Sequence, residues 1–217
     1  MLSHYYTIKN DGQFEIVIKK SRFICTLKRI ESEDEAKTII QQIKKEHWKA
    51  NHNCVAYVFG ENQQIQRSSD DGEPSGTAGV PMLEVLKVKN LHNVLAVVTR
   101  YFGGTELGAG GLIRAYSNSV SETLTHIGLV EGKLQQEIAV TLDYSLHGKV
   151  QYFLENNKEY TLKDTVFTDK VTMLIMVDEE AIAIFQQAII DLLSDQCELS
   201  LGDTDYVEIP LTDKEID

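Results

Sequence analysis

Asp70, Asp71 and Glu73 stand within four residues of one another, and His52 lies on a neighbouring predicted strand. Three carboxylates set so closely could gather a hard cation such as Mg²⁺ or Ca²⁺ through oxygen ligands. The same string, Asp-Asp-Gly-Glu-Pro, is also ordinary turn chemistry. Its spacing is not that of an EF-hand, and no second histidine sits at a ligand interval. A turn is therefore the expectation, and no metal and no cofactor is assigned. Cys54 shares a strand face with His52 but stands in an apolar run, where burial raises a thiol pKa and silences it. Ser68, Ser69 and Ser75 have no base at hand, and no Gly-x-Ser-x-Gly elbow is present. No catalytic residue is named. His47, Trp48 and His52 flank a helix-to-strand connection, where packing is expected over ligation.

Anion recognition is the stronger chemistry. Eight of the 14 glycines fall between residues 67 and 116, in two loops that bracket one apolar run. The second loop, GGTELGAGG, holds Gly103, Gly104, Gly108, Gly110 and Gly111 and leads into a predicted helix. Backbone N–H groups at a helix N-terminus, cleared of side chains by glycine, bind anions well. Arg100 before the loop and Arg114 one turn into the helix could add charge-assisted contacts to phosphate, with Arg67 assisting. It is not a Walker A loop, because no Gly-Lys-Ser/Thr follows. Dinucleotide spacing is also missing, since Ile113 stands where the third glycine belongs. Two readings stay open: an anion or nucleic-acid contact, and a tight strand-to-helix turn whose arginines pair with acids. A basic group, Lys19, Lys20, Arg22, Lys28 and Arg29, is either a solvated face or a patch for phosphates or for an acidic partner.

The elements that must position these residues are legible in outline. FEIVIKK and RFICTLKRI read as strands between residues 14 and 30. Ser32 with Glu35 forms a capping box for a helix that carries Ala36, Ile39, Ile40 and Ile43 on one face. Strands are expected over 53–59 and 63–69, and a short helical or irregular stretch near Met82 to Val88. Leu91 to Thr99 is an apolar run suited to a central strand covered on both faces. A helix from Gly110 or Gly111 to His126 buries Leu112, Tyr116, Val120, Leu124 and Ile127, and Gly128 stops it. Beyond residue 134, strand–helix–strand is spelled twice, with Asp178 as the second helix cap: the βαββαβ pattern of a ferredoxin-like domain.

Charge divides the chain at the same place. Residues through Val130 carry a net charge of +1 and those from Glu131 onward −13. Two domains with different surfaces are expected, at 1–130 and 134–210, with an α+β fold overall. The −12 total argues against bulk binding of nucleic acid by the whole chain, and the acidic second domain suits a protein partner. No apolar run approaches the ~20 residues that span a bilayer. The first residues lack the basic stretch and apolar core of a signal peptide. Three separated cysteines fit reduced thiols in a cytoplasmic protein.

Long strings within these elements, SDDGEPSGTAGVPML (residues 69–83) and VVTRYFGGTELGAGGLIRAY (residues 97–116), resemble the IMPACT family. KSRFI (residues 20–24) and ANHNCVAYVFG (residues 50–60) match the same pattern, and the likeness to bacterial members of the YigZ and YvyE type covers essentially the whole chain. The resemblance implies an N-terminal βα domain like the second domain of a small-subunit ribosomal protein and domain IV of elongation factor G. It implies a C-terminal domain like the ferredoxin-like domain V of that factor. Eukaryotic relatives regulate translation under amino-acid starvation through a scaffold protein; they carry an accessory domain that this sequence lacks, so that partner does not transfer. The expectation is a cytoplasmic, non-enzymatic binding protein contacting ribosome, RNA or a translation factor through its N-terminal domain. The alternative is an enzyme acting on a phosphorylated or nucleotide substrate in the N-domain cleft.

Overall fold

A computed structural model describes residues 2–211. The chain divides into two compact units, Met1–Glu131 with Ile209–Asp217, and Gly132–Glu208. Among the described residues no helix is long and apolar enough to cross a membrane.

The first unit opens with β1 (His4–Ile8), followed by the hairpin of β2 (Gly12–Ile18) and β3 (Ser21–Arg29). Ile18 pairs with Ser21, which leaves Lys19 and Lys20 as a two-residue turn, both at positive φ (46° and 66°). That is the conformation a tight hairpin matching the strand twist demands, usually met by Asn-Gly. Helix α1 (Glu33–Glu46) starts where Ser32 Oγ accepts the Glu35 N–H at 3.1 Å. The Glu35 carboxylate reaches back to the Glu31 N–H at 2.6 Å, one residue beyond the reciprocal partner of a regular capping box.

Next come β4 (His52–Phe59), β5 (Ile65–Ser69), α2 (Gly79–Val88), β6 (Val94–Tyr101) and α3 (Ala109–Ile127), which ends on Gly128 at φ 83°. The sheet runs β2-β3-β6-β4-β5, with every pairing antiparallel. Alternation sorts its side chains. Cys25, Leu27, Ala56, Val58, Ala96 and Val98 face α2 and α3, while Val55, Tyr57, Leu95 and Val97 face α1. Strand β6 is thus central and covered on both faces, as its apolar run predicts. It begins three residues later than expected: the Leu91 N–H is taken by Leu86 at the end of α2, and Asn93 turns the chain at φ 57°.

The second unit follows with β7 (Leu129–Leu142), α4 (Tyr144–Asn156), β8 (Thr161–Phe167), β9 (Val171–Asp178), α5 (Ile182–Leu193) and β10 (Cys197–Pro210). Its sheet order, β10-β7-β9-β8 with β9 antiparallel to both β7 and β8, is the ferredoxin-like arrangement. Ile138, Val140, Val150, Met173, Ile175, Phe185 and Ile189 form its core. Asp178 does not cap α5. Its carboxylate accepts from Gln135 Nε2 at 2.8 Å, and a 3₁₀ turn, Glu179–Ala181, intervenes before the helix. The chain then returns to the first unit, where the Leu211 N–H donates to Leu129 O at 3.0 Å and its side chain packs on the core around α3.

Candidate nucleic-acid interface

The acidic loop is an internal scaffold, and each of its three carboxylates has its own task. Asp70 Oδ1 accepts from the Ala78 and Gly79 N–H groups at 3.0 and 2.8 Å, and Oδ2 from Gly76 at 2.8 Å. It caps α2 from nine residues upstream, which is why that helix starts at Gly79 and not near Met82. Burial pushes the Asp70 carboxyl up, but the three backbone donors outweigh it and hold it below its ordinary value. Asp71 accepts the Asn53 N–H at 2.7 Å and the Lys44 ammonium. Glu73, buried, accepts from Arg100 Nη1 at 2.6 Å and from the Tyr116 hydroxyl at 2.7 Å. Among the described residues no group of three or more His, Cys, Asp or Glu side chains is arranged to hold a metal ion.

These pairings correct part of the expected anion surface. Arg100 does not lend charge to an outside phosphate: it is 5% exposed and locked to Glu73, with the Phe23 ring 5.3 Å from its guanidinium. Alternation along β6 (Ala96, Val98, Arg100) places it on the core face. Arg67 stands opposite Tyr57 in the β4–β5 register, and its guanidinium lies 3.7 Å from Glu33 on α1. It therefore belongs to the sheet face opposite α3. The basic group also divides. Arg22 grips Glu15 through two 2.8 Å bonds at one end of β3, whereas Lys28 pairs with Asp11 and Arg29 holds the Ile8 carbonyl at the other. Arg22 and Lys28 are six strand steps apart, about 20 Å.

What remains at the glycine loop is a coherent exposed surface. Gly108 is the N-cap of α3 at φ 68°, no side chain caps the helix, and Gly108, Ala109 and Gly110 are exposed. Arg114 is exposed one turn on, and Gly104 adopts φ 85°. Gly103 is required for a different reason. A β-carbon there would fall 2.0 Å from the Lys20 carbonyl carbon, because the loop backbone lies flat on the Lys19–Lys20 turn. Its N–H donates to Ser21 Oγ at 3.1 Å. Both lysines are exposed. The hairpin tip and the loop that leads to the helix N-terminus are thus one packed assembly.

The thiols offer no nucleophile here. Burial pushes Cys25 and Cys54 up to about 12, and burial, then Cys54 and Glu73, push the Tyr116 hydroxyl far up. A groove of about 550 Å³ between α1 and the β2–β3 hairpin is lined by opposing charges, among them Lys28, Asp11, Glu35 and Arg29. The connection after α1 departs most from expectation. His47 and His52 are half-buried, bonded to the Tyr101 hydroxyl and the Asp71 carbonyl at 2.9 Å each. Trp48, whose type and place suggest packing, is 73% exposed.

Comparison with known proteins agrees with this architecture. Residues 19–124 match the Impact N-terminal domain, and residues 140–196 match a domain of unknown function (DUF1949). The chain is 50% identical to the IMPACT family member YvyE of Bacillus subtilis, over 96% of this chain and 95% of that one. It is 36% identical to an IMPACT family member of Haemophilus influenzae, over 92% and 98% of the two chains. A crystal structure of a hypothetical protein, 29% identical, superposes with a TM-score of 0.58 over 94% of this chain and 99% of that one. With both units, the glycine signature and near full-length relatives in agreement, the chain belongs to the IMPACT family.

Proposed function

We propose that this protein is a cytoplasmic, translation-linked regulator whose first unit contacts RNA of the translation apparatus. The contact surface is Lys19, Lys20, Gly103, Gly104, Gly108, Gly110, Gly111 and Arg114. One observation carries the reading: the uncapped, exposed N-terminus of α3 is continuous with a loop pressed onto a turn of two exposed lysines. Helix N–H groups and ammonium groups both recognise phosphate oxygens. Membership of a family with translation regulators among its eukaryotic members supports the setting. Contact with the ribosome itself or a translation factor, and a protein partner for the acidic second unit, belong to the same reading. The residues an enzyme would draw on, Asp70, Asp71, Glu73, Cys54 and Tyr116, are committed to internal bonds.

Fluorescence anisotropy of labelled RNA with the full chain, across a salt series, tests it. Log affinity falls linearly with log salt, and Lys19→Ala, Lys20→Ala and Arg114→Ala together lower that slope by about 2, near 0.7 for each phosphate left without its cation. Affinity weaker than ~100 μM at low salt, or a triple variant that binds as the parent does, overturns the proposal.

A further inference from the structure

The same end of the first sheet gathers aromatic rings that its core does not need. Trp48, the sole tryptophan, is 73% exposed, and Phe102 is 47% exposed. Neither hangs on a loose segment. The Ala50 N–H donates to His47 O at 2.8 Å, the Asn51 N–H to Arg100 O at 2.9 Å, and the Phe102 N–H to Asn51 Oδ1 at 2.8 Å. The connection bearing Trp48 is thereby stitched to the strand end bearing Phe102. Tyr101 between them is held by His47 on its hydroxyl and by Arg22, whose guanidinium lies 5.3 Å from the ring centroid. A free-standing cation accompanies the larger ring, with Lys49 Nζ 5.0 Å from the Trp48 centroid; Arg100, 5.6 Å from the Phe102 centroid, is buried and spends its charge on Glu73. The register places the lysine turn at this end too, since Arg22, two residues past Lys20, pairs with Tyr101.

We infer that this sheet end is a stacking platform for the unpaired bases of single-stranded RNA. The inference rests on the phosphate-contact reading above and specifies its ligand. Exposed rings interleaved with lysines suit a flexible polyanion whose bases offer π-faces, and base–aromatic stacking tolerates any sequence. A duplex hides those faces inside its stack and presents shape, 2′-hydroxyls and phosphates. Lys19, Lys20 and Lys49 track the backbone of the strand while Trp48 and Phe102 take bases. A protein partner would also value exposed aromatics, but Lys49 beside Trp48 and the Lys19–Lys20 turn at the same sheet end favour the polyanion.

Trp48 supplies its own readout, because no other tryptophan contributes to the emission. The full chain is titrated with oligouridylate of about eight nucleotides, within the span such surfaces cover, and with an RNA duplex of equal length. Saturable quenching of Trp48 by the single strand, and weaker binding of the duplex, are expected. By anisotropy, Trp48→Ala and Phe102→Ala each weaken single-strand binding roughly tenfold, Trp48→Phe restores most of it, and the salt slope stays unchanged. Thermal melts confirm that these surface variants fold. If the duplex binds as tightly as the single strand, or Trp48→Ala is silent, the platform is wrong while the phosphate reading stands. If neither RNA binds, both fall and the rings serve a protein partner.

Discussion

At the scale of single residues, the buried Glu73–Arg100–Tyr116 group explains why the acidic motif and the strand motif belong together. Glu73 binds an arginine at the end of the central strand and the hydroxyl of a tyrosine on α3, so one carboxylate fastens loop, sheet and helix. Removing one partner of a buried ion pair strands the other. Glu73→Ala is expected to lower the unfolding free energy by about 3–5 kcal/mol, and Tyr116→Phe by about 1 kcal/mol, measured by urea titration. Equal stability of Glu73→Ala and the parent would show that the group is not closed. Asp70 gives a pH signature. Its carboxyl is held below the ordinary value in the fold, so its stabilisation is full above the unfolded-state value of about 3.9 and is lost as pH falls through the lower, folded value. Asp70→Asn should therefore be less stable than the parent at neutral pH, with the gap closing in acid. A gap that widens toward low pH contradicts this assignment. The sequence exposes the types of these residues but not their direction. Arg100 reads as a free cation beside a glycine loop until the alternation from Val98 is carried one step further, onto the core face. Trp48 is the opposite case: its type says core, and only the three-dimensional stitching of residues 47–51 shows it outside.

Elements tell a more legible story. The capping residue of α1, the double burial of β6 and the glycine stop of α3 follow from local pattern, because each is set by neighbours in sequence. The N-terminus of α2 does not, since its cap, Asp70, arrives from a preceding loop. Strand β1 is not legible because five residues near a chain end carry no alternation long enough to read. At this scale the glycines separate into kinds. Gly103→Ala should cost about 1–3 kcal/mol, as overpacking does, because the new methyl meets the backbone at Lys20. Gly110→Ala, with only the Arg114 tip 3.8 Å away, should be neutral or stabilising by up to about 1 kcal/mol. Paired thermal melts distinguish them, and similar shifts for both would remove the hairpin–loop packing from the account. The turn itself permits a sharper test. Replacing Lys19-Lys20 by Asn-Gly relieves two residues of left-handed strain, each worth about 1–2 kcal/mol. That variant should melt higher and bind RNA more weakly, and a decline on both counts would mean that the lysines stabilise the turn.

For the whole molecule, charge and topology partition the chain differently. Charge separates at Glu131, with +1 before it and −13 from it onward; we propose that the two units unfold as separate cooperative blocks. The first unit, however, reclaims the chain at Ile209, and Leu211 packs on its core. Deleting the chain from Ile209 should lower the melting temperature of the first block and leave that of the second in place, as followed by hydrogen exchange on the two cores. A deletion that perturbs only the second block would refute the division. This return has a bearing on biosynthesis. Domains ordinarily fold in the order in which they leave the ribosome, but here the first-made unit awaits Leu211, made after the whole of the second unit, to complete its packing. The second unit is in effect an insertion that can finish folding while its host is still open. The packing of the first unit is therefore completed only after the whole of the second unit has been synthesised.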